Sequence, residues 1–380
     1  MYDVIIIGLG AMGSAAAYEL AGSGLKVLGL EQFEPLNAMG SSFGKSRMIR
    51  KAYMEGDFYI PLLERAYDKW FELDKLERQP LINLCGGLYV APENDRVIQD
   101  TLASAKMYNI PVETLGPEEI KARFPLFTPA DDVVGVFEPS AGYVNPDATL
   151  MLYQSLAMGK GAELNFNEPV VNIQVKDDFI EVETAGETYK AKKLVVTAGA
   201  WVNKIMVFLG RPLPFSIRRM VSHWFEPEGS PEDFKPGKFV PNLWRLPDGH
   251  ILYGFPWTEE EEGIKYAFHD RFDRVDNVLK LDREVKKSEI RVMREALKKC
   301  VPSVPYRHRT SKVCLYTMTP DEHFVVGPLK AQERVIVAGG FSGHGFKFVP
   351  VIGEILRDCV LEQKPEFDLK AFSPERFQGK

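Results

Sequence analysis

Apolar and polar positions follow two periods along this chain. The unbroken apolar run Val4–Ile7 predicts a buried strand, and the alanine-rich stretch that follows to about Ala21 predicts a helix. A second apolar run, "LKVLGLE", predicts a strand ending at Glu31. Residues 37–60 lose both periods and are rich in glycine and serine, which predicts a long ordered loop. Helical spacing returns at 60–74, "IPLLERAYDKWFELD", and "GGLYVAP" (86–92) predicts a strand. Between 163 and 201 apolar and polar residues alternate through several turns, as in an antiparallel meander. That stretch ends in Leu194–Ala200, a buried strand running into a turn of small residues. A last strand, Val335–Ala338, leads through a glycine turn into a helix from about Phe348 to Glu362.

The first strand and helix are joined by Gly8-Leu9-Gly10-Ala11-Met12-Gly13, a GxGxxG turn, and the second strand ends on an acid. Strand, glycine turn, helix, strand and acid together form a dinucleotide-binding fingerprint. Gly8 permits the tight turn, Gly10 lets backbone approach a pyrophosphate, and Gly13 lets helix pack on strand. The helix N-terminus offers free N–H groups to phosphate, and Glu31 would accept from a ribose. Gln32 stands where an NADP enzyme would want an arginine. An NAD enzyme usually continues through unbroken βαβ units, whereas this pattern leaves the nucleotide fold after Glu31 and returns at 194–200 and 335–345. That organisation favours FAD. Glycines 339, 340, 343 and 345 leave N–H groups free to converge on one anionic spot.

Length and composition narrow the class. The 380 residues suffice for two domains, and 45% hydrophobic with 26% charged residues is ordinary for a globular protein with a real core. A net charge of −6 gives no reason to expect nucleic acid or an anionic membrane as partner. Cys85, Cys300, Cys314 and Cys359 are scattered without repeating interval or metal-ligand spacing, so a reducing compartment is expected and no metal site. The uncharged stretch from Val4 to Tyr18 follows Asp3 rather than a basic segment and is glycine-rich, which argues against a signal peptide. No apolar run is long enough to span a bilayer, and the terminal "QGK" is no peroxisomal signal, so a cytoplasmic location is expected. Cys314 itself admits four readings on its residues alone: buried filler, half of a disulfide, reactive thiol, or attachment point.

The stretches "GLGAMGSAAAYELA", "GSSFGKSRMIRKAY" (40–53), "LYGFPW" (252–257), "CLYTMTPDEHF" (314–324) and "GFSGHGFKF" (340–348) resemble the sarcosine oxidase family of flavoproteins, the branch of monomeric sarcosine oxidase and N-methyltryptophan oxidase. The resemblance covers nearly the whole chain. It implies an α/β fold: a Rossmann-type FAD-binding domain with a second α+β catalytic domain containing a mixed antiparallel sheet. Residues 1–75, 145–210 and 311–380 are assigned to the first domain, and 76–144 and 211–310 to the second. It further implies an amine oxidase that oxidises a secondary (N-methyl or cyclic) α-amino acid such as sarcosine, reduces O2 to hydrogen peroxide, and acts as a monomer. An amino-acid dehydrogenase using another electron acceptor, or a flavin-binding subunit of a larger complex, stands as the alternative.

The site residues follow from the same resemblance. Cys314 matches the cysteine that holds the flavin covalently through its 8α-methyl. Arg50 and Lys347 match the contacts to the substrate carboxylate, and Tyr253 and Tyr316 the aromatic walls of the pocket. His269 matches a histidine near the substrate amine, Arg47 an arginine close to the ring, and Lys265 a lysine over the face away from substrate, where oxygen is reduced. Arg50 suits this task because its planar fork grips a carboxylate bidentately. Cofactor contacts are expected from Gly8, Gly10, Ala11, Met12, Gly13, Glu31 and Gln32, then from Ser41, Ser42, Ser46 and Arg47. Further along they are expected from Val170, Ala198, Gly199, Trp201 and Cys314, and finally from Gly340, Gly343, His344, Gly345 and Lys347. One departure stands out: covalent members often carry paired histidines where this chain has Ser42 and Phe43.

Overall fold

Strand Tyr2–Ile7, with Val4–Ile7 all 5% exposed or less, forms the centre of an eight-stranded sheet. It runs parallel to Val27–Leu30 on one side and to Thr188–Val196 on the other. Glu163–Asn165 extends the sheet beyond Val27–Leu30, and Gln332–Gly339 joins in parallel beside Thr188–Val196. Such central parallel strands are covered on both faces, and their sequences are accordingly continuous apolar runs rather than alternating ones. The alternating segment forms the antiparallel ladder Val170–Val175, Ile180–Thr184, Thr188–Val196. The structure, a computed structural model, describes residues 1–226, 229–258, 263–302 and 307–377.

Helices Ala11–Gly22, Ile60–Asp74, Pro146–Gly159 and Val349–Val360 share one core with this sheet. The first and last of these approach closely, because Gly353 lies against Ala15. A Cβ at 353 would come within 2.9 Å of the alanine's methyl carbon.

The second sheet has nine strands in the described residues. Ser216–Phe225, Ile264–Phe268, Ile251–Phe255 and Asn242–Arg245 follow one another antiparallel, and Asn242–Arg245 pairs in parallel with Gly87–Pro92. Helices Pro117–Arg123 and Lys287–Cys300 pack on one face through Ile120, Met293 and Leu297. Strand His308–Met318, which carries Cys314, pairs along the whole of Ser216–Phe225, so the expected domain boundary at residue 311 falls inside a strand of this sheet.

The stretch 37–60 is not all loop. Arg47–Ile49 pairs with Gly142–Val144, which also pairs with Ile82–Asn83. Three residues of strand are too few for alternation to be read from sequence. The acidic turn expected at 259–262 lies outside the described residues. Among the described residues no helix is long and apolar enough to cross a membrane, no His, Cys, Asp and Glu cluster could hold a metal ion, and all four cysteines are free thiols.

Candidate active site

A single cleft runs from the glycine turn after Tyr2–Ile7 to the second sheet, lined by residues of both. At its first end Gly8 adopts φ +97°, open to glycine, and a Cβ there would lie 2.6 Å from the Thr197 carbonyl oxygen. At Gly13 a Cβ would lie only 1.9 Å from the Gly8 carbonyl oxygen, so the helix can begin this close to the strand only with glycine. The Ser42 hydroxyl accepts from the Ala11 N–H at 3.1 Å and ties the 37–60 segment to the helix start. Burial raises the Glu31 pKa against the pull of the backbone N–H groups of Leu9 and Phe33, which its carboxylate accepts at 2.9 and 3.1 Å. Gln32, Val170, Ala198, Gly199 and Trp201 line the same end. Trp201 Nε1 is buried there with no partner among the described residues. Backbone held open by glycines, a helix start, an acid and an unpaired donor fit a dinucleotide.

At the other end stands a buried guanidinium. Arg50 is 3% exposed and its Nη2 donates to both oxygens of Glu55 at 2.6 and 2.8 Å, while Nη1 is buried without a partner among the described residues. Burial opposes ionisation of both groups, yet each holds the other charged: the Arg50 pKa is raised, and Glu55 is held down at about 2. Tyr53 lies between Arg50 and Lys347, its ring centroid 5.0 Å from each charged group. Lys347 Nζ donates to the His344 carbonyl at 2.8 Å and approaches the Tyr53 hydroxyl at 3.4 Å. Burial first, and Arg50 second, lower its pKa to about 7. The Tyr53 hydroxyl in turn meets His344 Nδ1 at 2.6 Å.

The second sheet supplies the facing wall. Tyr253 follows from the pairing of Ile251–Phe255 with both neighbours, and His269 stands just past the end of Ile264–Phe268 with its N–H on the Ile251 carbonyl. The His269 ring lies 6.4 Å from Tyr253 and 5.8 Å from Tyr316, and burial lowers its pKa. Burial likewise raises both tyrosines.

Cys314 lies on the same strand face as Tyr316, opposite Met220, and packs against Phe43. Burial raises its thiol pKa, and the positive charges of Arg47 and Lys265 pull against that. Ser41 donates to the Leu315 carbonyl, and Arg47 donates to the Ser41 and Phe43 carbonyls at 3.0 and 2.8 Å. Gly340, Gly343, His344 and Gly345 complete this side of the cleft.

Most of the residues singled out from sequence thus meet in one cleft. Gly13, Ser46 and Lys265 do not line it: Gly13 is used in helix packing, and Lys265, 2% exposed, donates to the Ser46 carbonyl at 2.7 Å. Sequence reading missed Glu55, the carboxylate on Arg50, and the apolar lining from Met48, Met54 and Leu243. Glu55 lies five residues after Arg50 in a segment without period, so only a search for a counter-ion to the arginine could have found it.

Residues 3–359 match the family model described as FAD dependent oxidoreductase. The chain is 39% identical over 377 residues to the monomeric sarcosine oxidase of Streptomyces avermitilis, an alignment covering 99% of this chain and 97% of that protein. To the N-methyl-L-tryptophan oxidase of Yersinia pestis it is 33% identical over 378 residues, 99% of this chain and 100% of that one. Among solved structures, NikD, an unusual amino acid oxidase essential for nikkomycin biosynthesis, superposes with a TM-score of 0.84 at 25% identity, over 98% of this chain and 97% of that one. With the fingerprint, the cleft and these likenesses in agreement, the chain belongs to the FAD dependent oxidoreductase family, in the branch of monomeric sarcosine oxidase and N-methyltryptophan oxidase, and FAD is its cofactor.

Proposed function

We propose that the protein oxidises a secondary α-amino acid, an N-methyl or cyclic one of the sarcosine type, with O2 as acceptor. The observation that carries this reading is Arg50: a buried guanidinium with one nitrogen unpartnered, beside Lys347, in the cleft of an FAD enzyme. A guanidinium and a lysine amine converging in an aromatic-walled space suit one carboxylate attached to a small body. The cofactor would be held at Gly8, Gly10, Ala11, Met12 and Gly13, at Glu31 and Gln32, and at Ser41, Ser42 and Arg47. Val170, Ala198, Gly199, Trp201 and the 340–345 turn would hold the rest, with Cys314 as the covalent anchor. Bound FAD supplies the hydride acceptor and the route of electrons to oxygen.

The chain's own side chains then divide the work. Arg50 and Lys347 grip the carboxylate, and Tyr253, Tyr316 and the His269 ring confine the amine against the opposite wall. Glu55 keeps both oxygens on Arg50 Nη2, and Nη1, without a partner among the described residues, is the nitrogen left for the substrate carboxylate. Lys265, buried between the Phe255 and Trp224 rings at 4.8 and 5.8 Å, provides a fixed positive charge for the negative charge that develops on oxygen as it is reduced. The relatives' description as monomeric supports a single-chain enzyme.

Titrating the flavin absorbance of the holoenzyme with a small carboxylate tests this reading. Wild-type protein should show saturable binding that Arg50→Met weakens by about one to two decades, the worth of a charge-assisted pair of roughly 1.5–3 kcal/mol. Unchanged affinity in the variant would remove Arg50 from substrate recognition.

A further inference from the structure

Oxidation at a carbon beside nitrogen requires the amine in its neutral form, whereas an amino acid arrives as an ammonium. Unless the scarce neutral form is drawn from solution, a group in the cleft takes that proton, and the side chains available there differ in what they can accept. Tyr253 and Tyr316 are phenols whose pKa values burial raises, so they hold their own protons and offer no phenolate to take another. Glu55 is ionised but tied through both oxygens to Arg50. His269 is a buried imidazole whose basicity burial reduces. Lys347 is different. It is 4% exposed, and the two partners of its Nζ, the His344 carbonyl and the Tyr53 hydroxyl, are both neutral.

The groups that face Lys347 from every side explain its state. Arg50, from the loop before Tyr53, repels a second positive charge. Glu55, from the same loop, is already committed to Arg50. Glu138, at the end of strand Val133–Glu138, also attracts it but accepts from the Lys51 and Ala52 N–H groups at 2.7 and 3.2 Å. His344 is kept neutral by burial, and Trp70, from the helix Ile60–Asp74, donates to the Lys347 carbonyl rather than to its amine. A buried amine beside a guanidinium, with no carboxylate bonded to it among the described residues, carries a proton at a cost that an incoming carboxylate removes.

Resting on the substrate reading above, we propose that Lys347 is the proton acceptor for the substrate ammonium. It meets the amino acid as a neutral amine, takes the ammonium proton onto Nζ, and becomes the cation that completes the carboxylate clamp with Arg50. One substrate N–H bond breaks and one Nζ–H bond forms; the nitrogen keeps its electron pair, and no oxidant enters this step. A lysine that touches the carboxylate is within reach of the amine two bonds further on, directly or through one water. Tyr53 and the His344 carbonyl hold Nζ at that place. The transfer explains how one residue serves both needs: the amine becomes reactive in the same event that fixes the acid.

The test uses holoenzyme and two variants. Butyrate has the outline of sarcosine without a nitrogen, so it brings no proton. Its binding to wild-type protein near pH 8, followed by calorimetry in two buffers of different ionisation enthalpy, should take up close to one proton, supplied to Lys347. Lys347→Arg keeps a cation and should bind butyrate with no uptake. In anaerobic stopped flow with sarcosine, Lys347→Arg should reduce its flavin about a hundredfold more slowly than wild type near pH 7. Its rate should then climb about tenfold per pH unit as solution supplies neutral amine, where the wild-type rate levels off. Proton uptake absent in wild type, or a Lys347→Arg profile matching wild type, would overturn the assignment. So would a profile moved by His269→Asn and not by Lys347→Arg. If no secondary amino acid reduces the wild-type flavin, the substrate reading fails, and the butyrate measurement still decides Lys347.

Discussion

Arg50 and Lys265 are both buried cations, yet their surroundings predict different losses. Arg50 has a bidentate carboxylate on one nitrogen and nothing on another, the state of a binding group at rest. Glu55→Gln should therefore tighten carboxylate binding, because a negative charge beside the open Nη1 is removed; weaker binding would show that Glu55 supports the clamp instead. Lys265 sits behind the cleft on the Ser46 carbonyl, between two aromatic rings. Lys265→Met should leave anaerobic flavin reduction close to normal and slow reoxidation by about two orders of magnitude. Equal loss in both half-reactions, or none in reoxidation, would remove it from the oxygen step. Cys314 presents a third case. If it anchors the flavin, SDS denaturation leaves yellow colour on the polypeptide, and Cys314→Ser releases it. The Phe43 ring packs on Cys314, so loss of all flavin from wild type would mean an environment too apolar for attachment. Lys347, Tyr253 and Tyr316 were legible because they sit in motifs. Glu55 and Met54 were not, since a carboxylate or thioether in an aperiodic loop carries no sign of which side it faces.

At the scale of elements, the glycine turn sets where the helix Ala11–Gly22 begins. Gly13→Ala places a methyl group within the backbone of Gly8 and Thr197's side chain, a clash that backbone must relieve. The expected outcome is protein destabilised by about 1–3 kcal/mol, with a lowered ratio of flavin to polypeptide in the absorption spectrum. A fully loaded variant of normal melting temperature would show the turn to be more yielding than its contacts imply. The elements near this turn were readable from sequence because parallel strands buried on both faces leave unbroken apolar runs. The helix Lys287–Cys300 and the short strand Arg47–Ile49 were not read. The former is charged over most of its surface and packs through few residues, and the latter owes its form to pairing with Gly142–Val144, far away in sequence. The strand His308–Met318 shows the same limit: which sheet it joins is a matter of tertiary pairing.

For the molecule as a whole, a site that buries an amine beside a guanidinium lowers stability. The Lys347 pKa falls from the ordinary lysine value to about 7, so between that pH and about 10 the unfolded chain binds more protons than the folded one. Stability linked to this group therefore rises with pH through that window, and its cost is fully present below it. Lys347→Met should raise the melting temperature near neutral pH by a few degrees, with the gain shrinking as pH climbs towards 10. A variant less stable than wild type across that range would contradict the placement of a strained amine there. All of this depends on one claim, that the cleft oxidises a secondary α-amino acid. The most direct measurement is aerobic release of hydrogen peroxide by purified holoenzyme given sarcosine, N-methyltryptophan, pipecolate and proline in turn. Peroxide and the imine or its hydrolysis product are expected in equal amounts from at least one of them, with bleaching of the flavin when oxygen is withheld. A flavin that stays oxidised without oxygen in the presence of every one of these acids, and yields no peroxide with it, would contradict the account.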